Sequence, residues 1–458
     1  RVARIPGVFR GGMALMPSVE ARLFHGTRDV LPAELLPQKE LVATLTRTFE
    51  AFGFAPVETP AMEFVDILLG KYGADGEKLI YKLAYEDGHT LALRYDLTVP
   101  LSRLVAMHPE LPKPFKRYQI QPVWRADRAQ PAQGRFREFI QCDVDTVGTS
   151  SLVADAENLA VVHAGILASG MDGFLIKVNH RKLLRGMIAH AGLPATADKD
   201  VLRVVDKLDK IGLDEVVAEL SKIGVDAAAI DKLVGLMNIT GTPDAVLASA
   251  TERLGAESAA VEGLADLRAM LGHARALGVP EARLRVDLSL TRGLDYYTGP
   301  VYEIVTTEIE RFGSLGGGGR YDDLMSLFGG EPVPATGVSI GLTRLLTALV
   351  KLGKLKARES ATDVLISRFP DTPVDAALAC AATLRDQGFA VEWYYEADRL
   401  KKQFQYAERK GIPFVVILGA SEIERGEAAV KHLATGEQVT MTRDAVAGWM
   451  RARLTPKA

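Results

Sequence analysis

The amino-acid sequence predicts an α+β protein in which a unit of paired strands, a helical insertion and an α/β unit follow one another. Residues 117–145 alternate polar and apolar side chains, as strands with one polar and one apolar face do. Residues 183–280 carry helical periodicity with almost no strand signal. From residue 361 onwards, short apolar strands alternate with helical segments, which indicates a largely parallel sheet. The 458 residues are sufficient for about three domains.

The composition is ordinary for a globular protein, with 48% hydrophobic and 25% charged residues, so a packed core is feasible. The formal net charge is only −3, from 55 basic and 58 acidic side chains, so any contact with RNA has to come from a local patch. Cys142 and Cys380 fit neither a disulfide framework nor a zinc site, and we therefore expect a reducing, cytoplasmic location. No apolar run approaches the ~18 residues of a membrane-spanning helix, so we expect no membrane partner.

Residues 1–20 contain three arginines and no acidic residue before Glu20. A transit peptide has this composition, but we favour a disordered leader, with Met13 or Met16 as the true start. A helix with apolar residues at three- and four-residue spacing follows and is predicted to end at Gly53. These apolar residues are Leu41, Leu45, Phe49 and Phe52. The segment 55–60 is then predicted to be a strand closed by proline, which cannot donate to a continuing ladder.

Two strands on either side of the loop 127–134 are predicted to form the floor of a site. The polar face of the first strand carries Arg117, Gln119, Gln121, Val123 and Arg125. One face of the second strand carries Arg135, Arg137, Phe139, Gln141, Asp143 and Asp145. Cationic and amide side chains on adjacent strands suit a ligand that bears phosphate. A strand pair of this kind, taken alone, is also compatible with a solvated hairpin.

Further polar segments surround the insertion. Asp96 and Thr98 are two residues apart, and we expect them to share a strand face. The segment 291–299 contains an arginine, two adjacent tyrosines and two glycines, an unusual composition for an ordinary strand, although core aromatics are an alternative. The glycines at 316–319 are compatible with a flexible turn, but beside Arg320, Tyr321 and Asp322 we favour backbone that approaches a ligand. The segment 334–345 is predicted to be a strand that leads into a helix.

These segments together resemble the histidyl-tRNA synthetases. Thr291–Gly299 resembles the histidine-specific signature of that family, and Gly316–Leu324 resembles its second signature. The helix and strand up to Pro60 resemble motif 1 of class II synthetases, Phe115–Gly148 resembles motif 2, and Pro334–Leu345 resembles motif 3. The resemblance covers roughly residues 23–458, and it implies a class II synthetase catalytic domain built on an antiparallel sheet.

The resemblance also implies a division of the chain. We expect a leader at 1–20, a discontinuous catalytic domain at 21–182 and 281–352, a helical insertion domain at 183–280, a linker at 353–360 and a class IIa anticodon-binding domain at 361–458. The last is clearest at Leu400–Phe404 and at 416–431. Its basic residues Lys401, Lys402, Arg409 and Lys410 would contact phosphates without reading bases, although a short basic cluster is also typical of a solvated helix face.

Residue roles are implied by the same resemblance. For ATP, Arg125 matches the contact to the α-phosphate, Arg135 a second contact, Phe139 the aromatic that stacks on adenine, and Arg344 the contact to the γ-phosphate. For histidine, the matching residues are Asp96, Thr98, Gln141, Asp145, Arg292, Tyr296, Tyr297 and Tyr321. Arg292 is predicted to neutralise the α-phosphate during carboxylate attack, with Arg125 and Gln141 as further catalytic residues. The guanidinium group suits these tasks because its rigid fork pairs with phosphate oxygens.

The resemblance implies a histidine–tRNA ligase that uses L-histidine, ATP with Mg²⁺ and tRNA(His), and that forms a homodimer through motif 1. We expect no bound metal and no tightly bound cofactor, because the eight histidines are scattered. The usual Phe-Arg-x-Glu of motif 2 reads Trp-Arg-Ala-Asp at 124–127, and Thr343 stands where glutamate is common. Two alternatives are open: the regulatory paralogue of ATP phosphoribosyltransferase, and a class IIa synthetase for threonine or proline.

Overall fold

The computed structural model describes residues 20–85, 88–292, 296–328, 332–355 and 360–454. The predicted leader therefore lies outside the described residues except for Glu20. The same holds for residues 293–295 of the histidine-specific signature, for residues 356–359 of the predicted linker, and for the last four residues of the predicted anticodon-binding domain.

The first part of the chain builds a helix, a small sheet and the two strands of motif 2. The elements are α1 (Pro32–Ala51), β1 (Ala55–Pro56), β2 (Met62–Phe64), α2 (Val65–Glu77), β3 (Lys82–Ala84), β4 (Thr90–Leu93), α3 (Thr98–Met107), β5 (Phe115–Trp124), β6 (Glu138–Val147), α4 (Leu152–Ala168) and β7 (Phe174–His180). The predicted helix is confirmed, and its residues Leu41, Leu45 and Phe49 are buried. The predicted strand at 55–60 is shorter, because the carbonyls of Thr59 and Pro60 accept hydrogen bonds from the Arg94 side chain rather than from a neighbouring strand.

A run of helices follows β7 and is confirmed as predicted, since no strand occurs at 183–280, where every residue is described. The helices are α5 (Arg181–His190), α6 (Asp198–Val205), α7 (Leu208–Ile211), α8 (Leu213–Lys222), α9 (Ala227–Met237), α10 (Pro243–Leu254) and α11 (Ser258–Ala276). The chain then returns to the sheet through β8 (Leu284–Val286), which pairs in parallel with β7. The insertion thus leaves and rejoins one sheet at neighbouring strands.

The central sheet is completed by β9 (Pro300–Thr306), β10 (Ser314–Arg320) and β11 (Ala335–Gly341), and α12 (Leu342–Lys351) follows directly. The strand order is β1-β5-β6-β11-β10-β9-β7-β8. Every pairing from β5 to β7 is antiparallel, which confirms the antiparallel sheet predicted for a class II synthetase. The helices α1, α4 and α12 pack together on one face of this sheet. The opposite face is left for a site.

Two local expectations are wrong, and one open alternative is excluded. Asp96 and Thr98 do not share a strand, because β4 ends at Leu93 and the Asp96 carboxylate accepts hydrogen bonds from the backbone N–H groups of Thr98 and Val99 at the start of α3. Arg135 and Arg137 precede β6, since the Arg137 N–H donates to the carbonyl of Gly26 instead of to a strand. The glycines at 316–319 lie inside β10, which excludes the alternative of a flexible turn.

The C-terminal part forms a second sheet. Its elements are β12 (Val364–Ile366), α13 (Val374–Asp386), β13 (Val391–Trp393), α14 (Leu400–Arg409), β14 (Phe414–Ile417), α15 (Ala420–Glu424), β15 (Glu427–His432), β16 (Gln438–Thr442) and α16 (Arg443–Arg451). The predicted strands and helices up to β14 are confirmed. The sheet order is β13-β12-β14-β15-β16, and only its first three strands are parallel. Strand β15 is antiparallel to β14. Strand β16 is antiparallel to β15, because the short connection at 433–437 permits only a hairpin.

None of the described helices is long and apolar enough to cross a membrane.

Candidate active site

A cavity of about 420 Å³ opens on the face of the central sheet that the helices leave free. It collects all the residues that were predicted to bind ATP or histidine, although they lie far apart in the sequence. They are Asp96, Thr98, Arg125, Arg135, Phe139, Gln141, Asp145, Arg292, Tyr296, Tyr297, Tyr321 and Arg344. Strand β6 carries three of them and α12 carries Arg344, Arg125 directly follows β5 and Tyr321 directly follows β10, and the other six lie in α3 or in irregular chain. Their individual roles remain predictions.

Glycines make the floor of the cavity shallow enough for other side chains to lie across it. A Cβ atom added at Gly337 would lie 1.8 Å from Oδ1 of Asp145. Added at Gly319 it would lie 2.8 Å from the ring of Tyr297, and at Gly317 it would lie 3.0 Å from Nη1 of Arg292. These glycines are therefore required because no other residue would leave room for the functional side chains above them.

A buried ion pair anchors the inner end of the cavity. Nη2 of Arg117, on β5, lies 2.8 Å from Oδ2 of Asp145, its cross-strand neighbour on β6. The Tyr321 hydroxyl donates a hydrogen bond to the other carboxylate oxygen. Burial raises the pKa of Asp145, and the Arg117 cation and the hydrogen bond from Tyr321 oppose that shift. Sequence alternation placed Arg117 on the polar face, but only the structure shows its partner.

A second buried carboxylate, that of Asp143, lies two residues before Asp145 on β6. Nε2 of Gln141 donates to Oγ of Ser339 at 2.8 Å and to Oδ1 of Asp143 at 3.3 Å. Burial, with help from the Asp145 and Asp96 charges, raises the pKa of Asp143 to about 7, although the Arg117 cation opposes the shift. Ser339 was not predicted to be a site residue. Asp143 was predicted to lie on the floor face of the second strand, in phase with Phe139, Gln141 and Asp145, but no role was assigned to it.

Arg125 is held above the floor by contacts that leave its guanidinium group in a fixed orientation. Its Nη2 donates to Oε1 of Gln141 and its Nε donates to the carbonyl of Tyr95, both at 3.1 Å. The guanidinium carbon lies 4.4 Å from the centre of the Tyr95 ring and 5.0 Å from that of Phe139. Tyr95 also lines the cavity and was not predicted. Arg125 is thus presented to the cavity by an amide, a carbonyl and two rings.

Three arginines converge at the outer end of the cavity. Nη2 of Arg344 donates to the carbonyl of Phe312 at 2.6 Å, and Nη1 of Arg292 contacts Glu303 and Ser314. Burial, together with the Arg135 and Arg292 charges, lowers the pKa of Arg344 to about 10. Mutually repelling cations in one place are stabilised by a polyanion, so this end of the cavity is suited to a chain of phosphates.

Aromatic side chains form one wall of the cavity. The Tyr296 hydroxyl donates to the Tyr297 hydroxyl at 2.8 Å, and their ring centres lie 4.1 Å apart. Tyr321 meets Tyr296 edge-on at 6.1 Å. Burial raises the pKa of Tyr297 to about 12, so this residue is neutral at physiological pH and can donate a hydrogen bond. The inner end of the cavity therefore combines carboxylates with neutral phenols, which suits a small polar ligand with a cationic group.

Matches to known proteins cover both parts of the chain. The family model described as "Histidyl-tRNA synthetase" matches residues 26–345, and the model described as "Anticodon binding domain" matches residues 363–453. The Histidine–tRNA ligase of Rhodopirellula baltica is 41% identical over 423 residues, which is 92% of this chain and 95% of that protein. The Histidine–tRNA ligase of Gloeobacter violaceus is 41% identical over 445 residues, which is 90% of this chain and 94% of that protein.

A solved structure agrees with these matches. The crystal structure of histidyl-tRNA synthetase from Nostoc sp. PCC 7120 superposes with a TM-score of 0.85 at 35% identity. The superposition covers 95% of this chain and 100% of that one. Sequence and fold thus agree along nearly the full length, and the chain belongs to the histidyl-tRNA synthetase family.

Proposed function

We propose that this protein is a histidine–tRNA ligase, which activates L-histidine with ATP and transfers the histidyl group to tRNA(His). The observation that carries the proposal is the division of one cavity into an anionic, aromatic inner end and a cationic outer end. Histidine fits the first and the phosphates of ATP fit the second. The names of the relatives that match over nine tenths of the chain agree with this function.

In the first step, a carboxylate oxygen of histidine attacks the α-phosphorus of ATP, and the bond to the pyrophosphate leaving group breaks. Negative charge develops on the oxygens around that phosphorus. We assign Arg125 and Arg292 to neutralise it, because a preorganised cation stabilises the transition state more than the ground state. Arg344 would hold the γ-phosphate, and Phe139 would stack on adenine. In the second step, a ribose hydroxyl of tRNA attacks the histidyl carbonyl, and AMP leaves.

The inner end would select histidine by polar contacts. We propose that the imidazole lies between Asp145 and Tyr297, and that the hydrogen bond from Tyr321 holds the Asp145 carboxylate in place. The residues that we propose to surround the α-ammonium group are Gln141, Asp96 and Thr98. An amino acid with an apolar side chain would leave these buried polar groups unpaired. Such a loss discriminates strongly, because each unsatisfied buried group costs about 1–3 kcal/mol.

We further propose that ATP enters with Mg²⁺ as its counterion. Among the described residues, no group of three or more His, Cys, Asp or Glu side chains could hold a metal ion. The phosphate end of the cavity offers arginines, so the metal would bind mainly through the nucleotide.

We also propose that the domain at 361–458 binds the anticodon and that the helices at 183–280 contact tRNA as an insertion domain. We propose in addition that the protein works in the reducing cytoplasm. Both cysteines are free and buried.

The regulatory paralogue is not favoured. Its expected marks are the loss of the C-terminal domain and of catalytic residues, whereas this chain has an anticodon-binding domain and retains Arg125, Arg292 and Arg344 in one cavity.

Exchange of labelled pyrophosphate into ATP tests the activation step. We expect exchange with histidine and none with threonine, proline or glycine. We expect Arg292→Ala to lower the histidine-dependent rate by about 100-fold or more, because it removes a cation from the reacting phosphate. Arg285→Ala is a suitable control, since Arg285 is exposed on the short strand β8 and does not line the cavity. Folded wild-type protein that binds histidine but supports no exchange would instead indicate the regulatory paralogue.

Histidine affinity should depend on pH through Asp143. The Asp143 pKa of about 7 means that the carboxylate is mostly ionised at pH 8 and mostly protonated at pH 6. Asp143 lies 3.3 Å from Gln141, which is proposed to contact the α-ammonium group, so its ionised form attracts that group. We therefore expect the dissociation constant of histidine to increase by about tenfold from pH 8 to pH 6. Calorimetric titration of the wild type and of Asp143→Asn measures this. The variant controls for titration of the ligand itself, and an identical pH dependence in both proteins would contradict the assignment.

We also propose a homodimer that forms through motif 1 and the surface directly after it. Met62 and Phe64, on β2 of the small sheet, are 53% and 45% exposed, an unusual position for large apolar side chains. We expect sedimentation equilibrium to give twice the mass of the chain, and Phe64→Asp to shift it towards the monomer. Tyr395→Asp, at an exposed aromatic in the C-terminal part, should leave the mass unchanged. A monomeric wild type would contradict the proposal.

A further inference from the structure

We propose that Glu303 is a positioning residue for Arg292 and that it fixes one edge of this guanidinium group so that the other edge faces the reacting phosphate. Because Arg292 acts in the ligase reaction proposed above, the inference rests on that function. Glu303 lies on β9, outside every segment that resembles a signature of the family.

The contacts of Arg292 are concentrated on one nitrogen. Its Nη1 donates to a carboxylate oxygen of Glu303, to Oγ of Ser314 at 2.6 Å and, more weakly, to the carbonyl of Gly316 at 3.5 Å. Nε and Nη2 make no hydrogen bond to the part of the chain that the structure describes. The side chain as a whole is 40% exposed and lines the cavity. One edge of the fork is therefore bound to protein, and the other is available to a ligand.

The backbone does little to place this side chain. Arg292 belongs to no helix or strand, whereas Glu303 is in the middle of β9 and its side chain is only 16% exposed. Gly317 lies directly opposite Glu303 on β10. Since Gly317 has no side chain, Arg292 can lie across β10 and reach Glu303. The rigid sheet thus locates the carboxylate, and the carboxylate locates the arginine.

Charge makes this contact necessary. Arg292 shares the outer end of the cavity with Arg135 and Arg344. The Arg344 pKa is lowered by burial and by the Arg135 and Arg292 cations, while the Glu303 charge opposes the shift. On its other side, Glu303 neighbours Lys177 of β7. Lys177 has carboxylate partners of its own, since it pairs with Asp287 at 3.0 Å and lies 3.5 Å from Asp209. Without Glu303, Arg292 would be repelled by the other two arginines and would lose its fixed orientation.

Steady-state pyrophosphate exchange on the full chain tests the inference. We expect Glu303→Ala to lower kcat by about tenfold or more, because a small misplacement of a catalytic group is costly, while the KM for histidine changes less than about threefold. Glu303→Gln keeps an oxygen that can accept from Nη1, so we expect it to recover much of the rate. Glu308→Ala is the matched control, because Glu308 follows the same strand but pairs with Lys354 away from the cavity. Wild-type kcat in Glu303→Ala would overturn the inference.

A double-mutant cycle separates positioning from a general structural effect. If Glu303 acts through Arg292, adding Glu303→Ala to Arg292→Ala should change the remaining rate by less than about twofold. Two losses that multiply would show that Glu303 acts on something else and would overturn the inference. If Glu303→Ala does not fold, as judged by its thermal transition, the same cycle is run with Glu303→Gln, whose smaller loss should likewise vanish in the Arg292→Ala background.

A readout without catalysis distinguishes failure of this inference from failure of the proposed function. Phenylglyoxal modifies arginines, and peptide mass spectrometry follows the modification of Arg292 and of Arg125 in the same sample. We expect Arg292 to react at least about threefold faster in Glu303→Ala than in the wild type, with Arg125 unchanged, because a carboxylate partner protects a guanidinium group. Unchanged reactivity of Arg292 would overturn the positioning role. Absence of histidine-dependent exchange in the wild type would overturn the proposed function alone.

Discussion

The buried ion pair between Arg117 and Asp145 is the interaction on which the candidate site depends. It joins the two motif 2 strands at the inner end of the cavity, and Tyr321 ties the same carboxylate to the end of β10. Removal of one member of a buried pair costs about 3–5 kcal/mol, because the other is left as an uncompensated charge. The pair also leaves space above it, since Gly337 beside Asp145 has no side chain. The same contact therefore holds the sheet together and shapes the pocket.

Charge is separated along the cavity. Carboxylates are gathered at the inner end around one arginine, and burial, together with the neighbouring carboxylate charges, raises the pKa of Asp143 to about 7. Arginines are gathered at the outer end around one carboxylate, Glu303, and their crowding contributes to the lowered pKa of Arg344. The inner end thus has too little positive charge, and the outer end has too little negative charge. We propose that the α-ammonium group of histidine supplies it at the inner end and that the phosphates of ATP supply it at the outer end.

Much of this could be predicted from the sequence, and the failures have definite causes. Strand alternation correctly grouped Gln141 with Asp145, because period two follows from strand geometry alone. The same reasoning failed for Asp96 and Thr98, since the Asp96 carboxylate bonds to the next backbone N–H groups and starts a helix. Glu303 could not be found, because its partner Arg292 lies in irregular chain and meets it only across Gly317. Contacts of this kind depend on tertiary packing, which local periodicity does not describe.

The central claim is that one cavity holds histidine at its carboxylate end and ATP at its arginine end. A crystal structure of the protein with histidine and a non-hydrolysable ATP analogue measures this directly. We predict the imidazole within about 3 Å of Asp145 and Tyr297, and the phosphates among Arg125, Arg292 and Arg344. Histidine bound with its imidazole at the arginine end, or outside the cavity, would contradict the account.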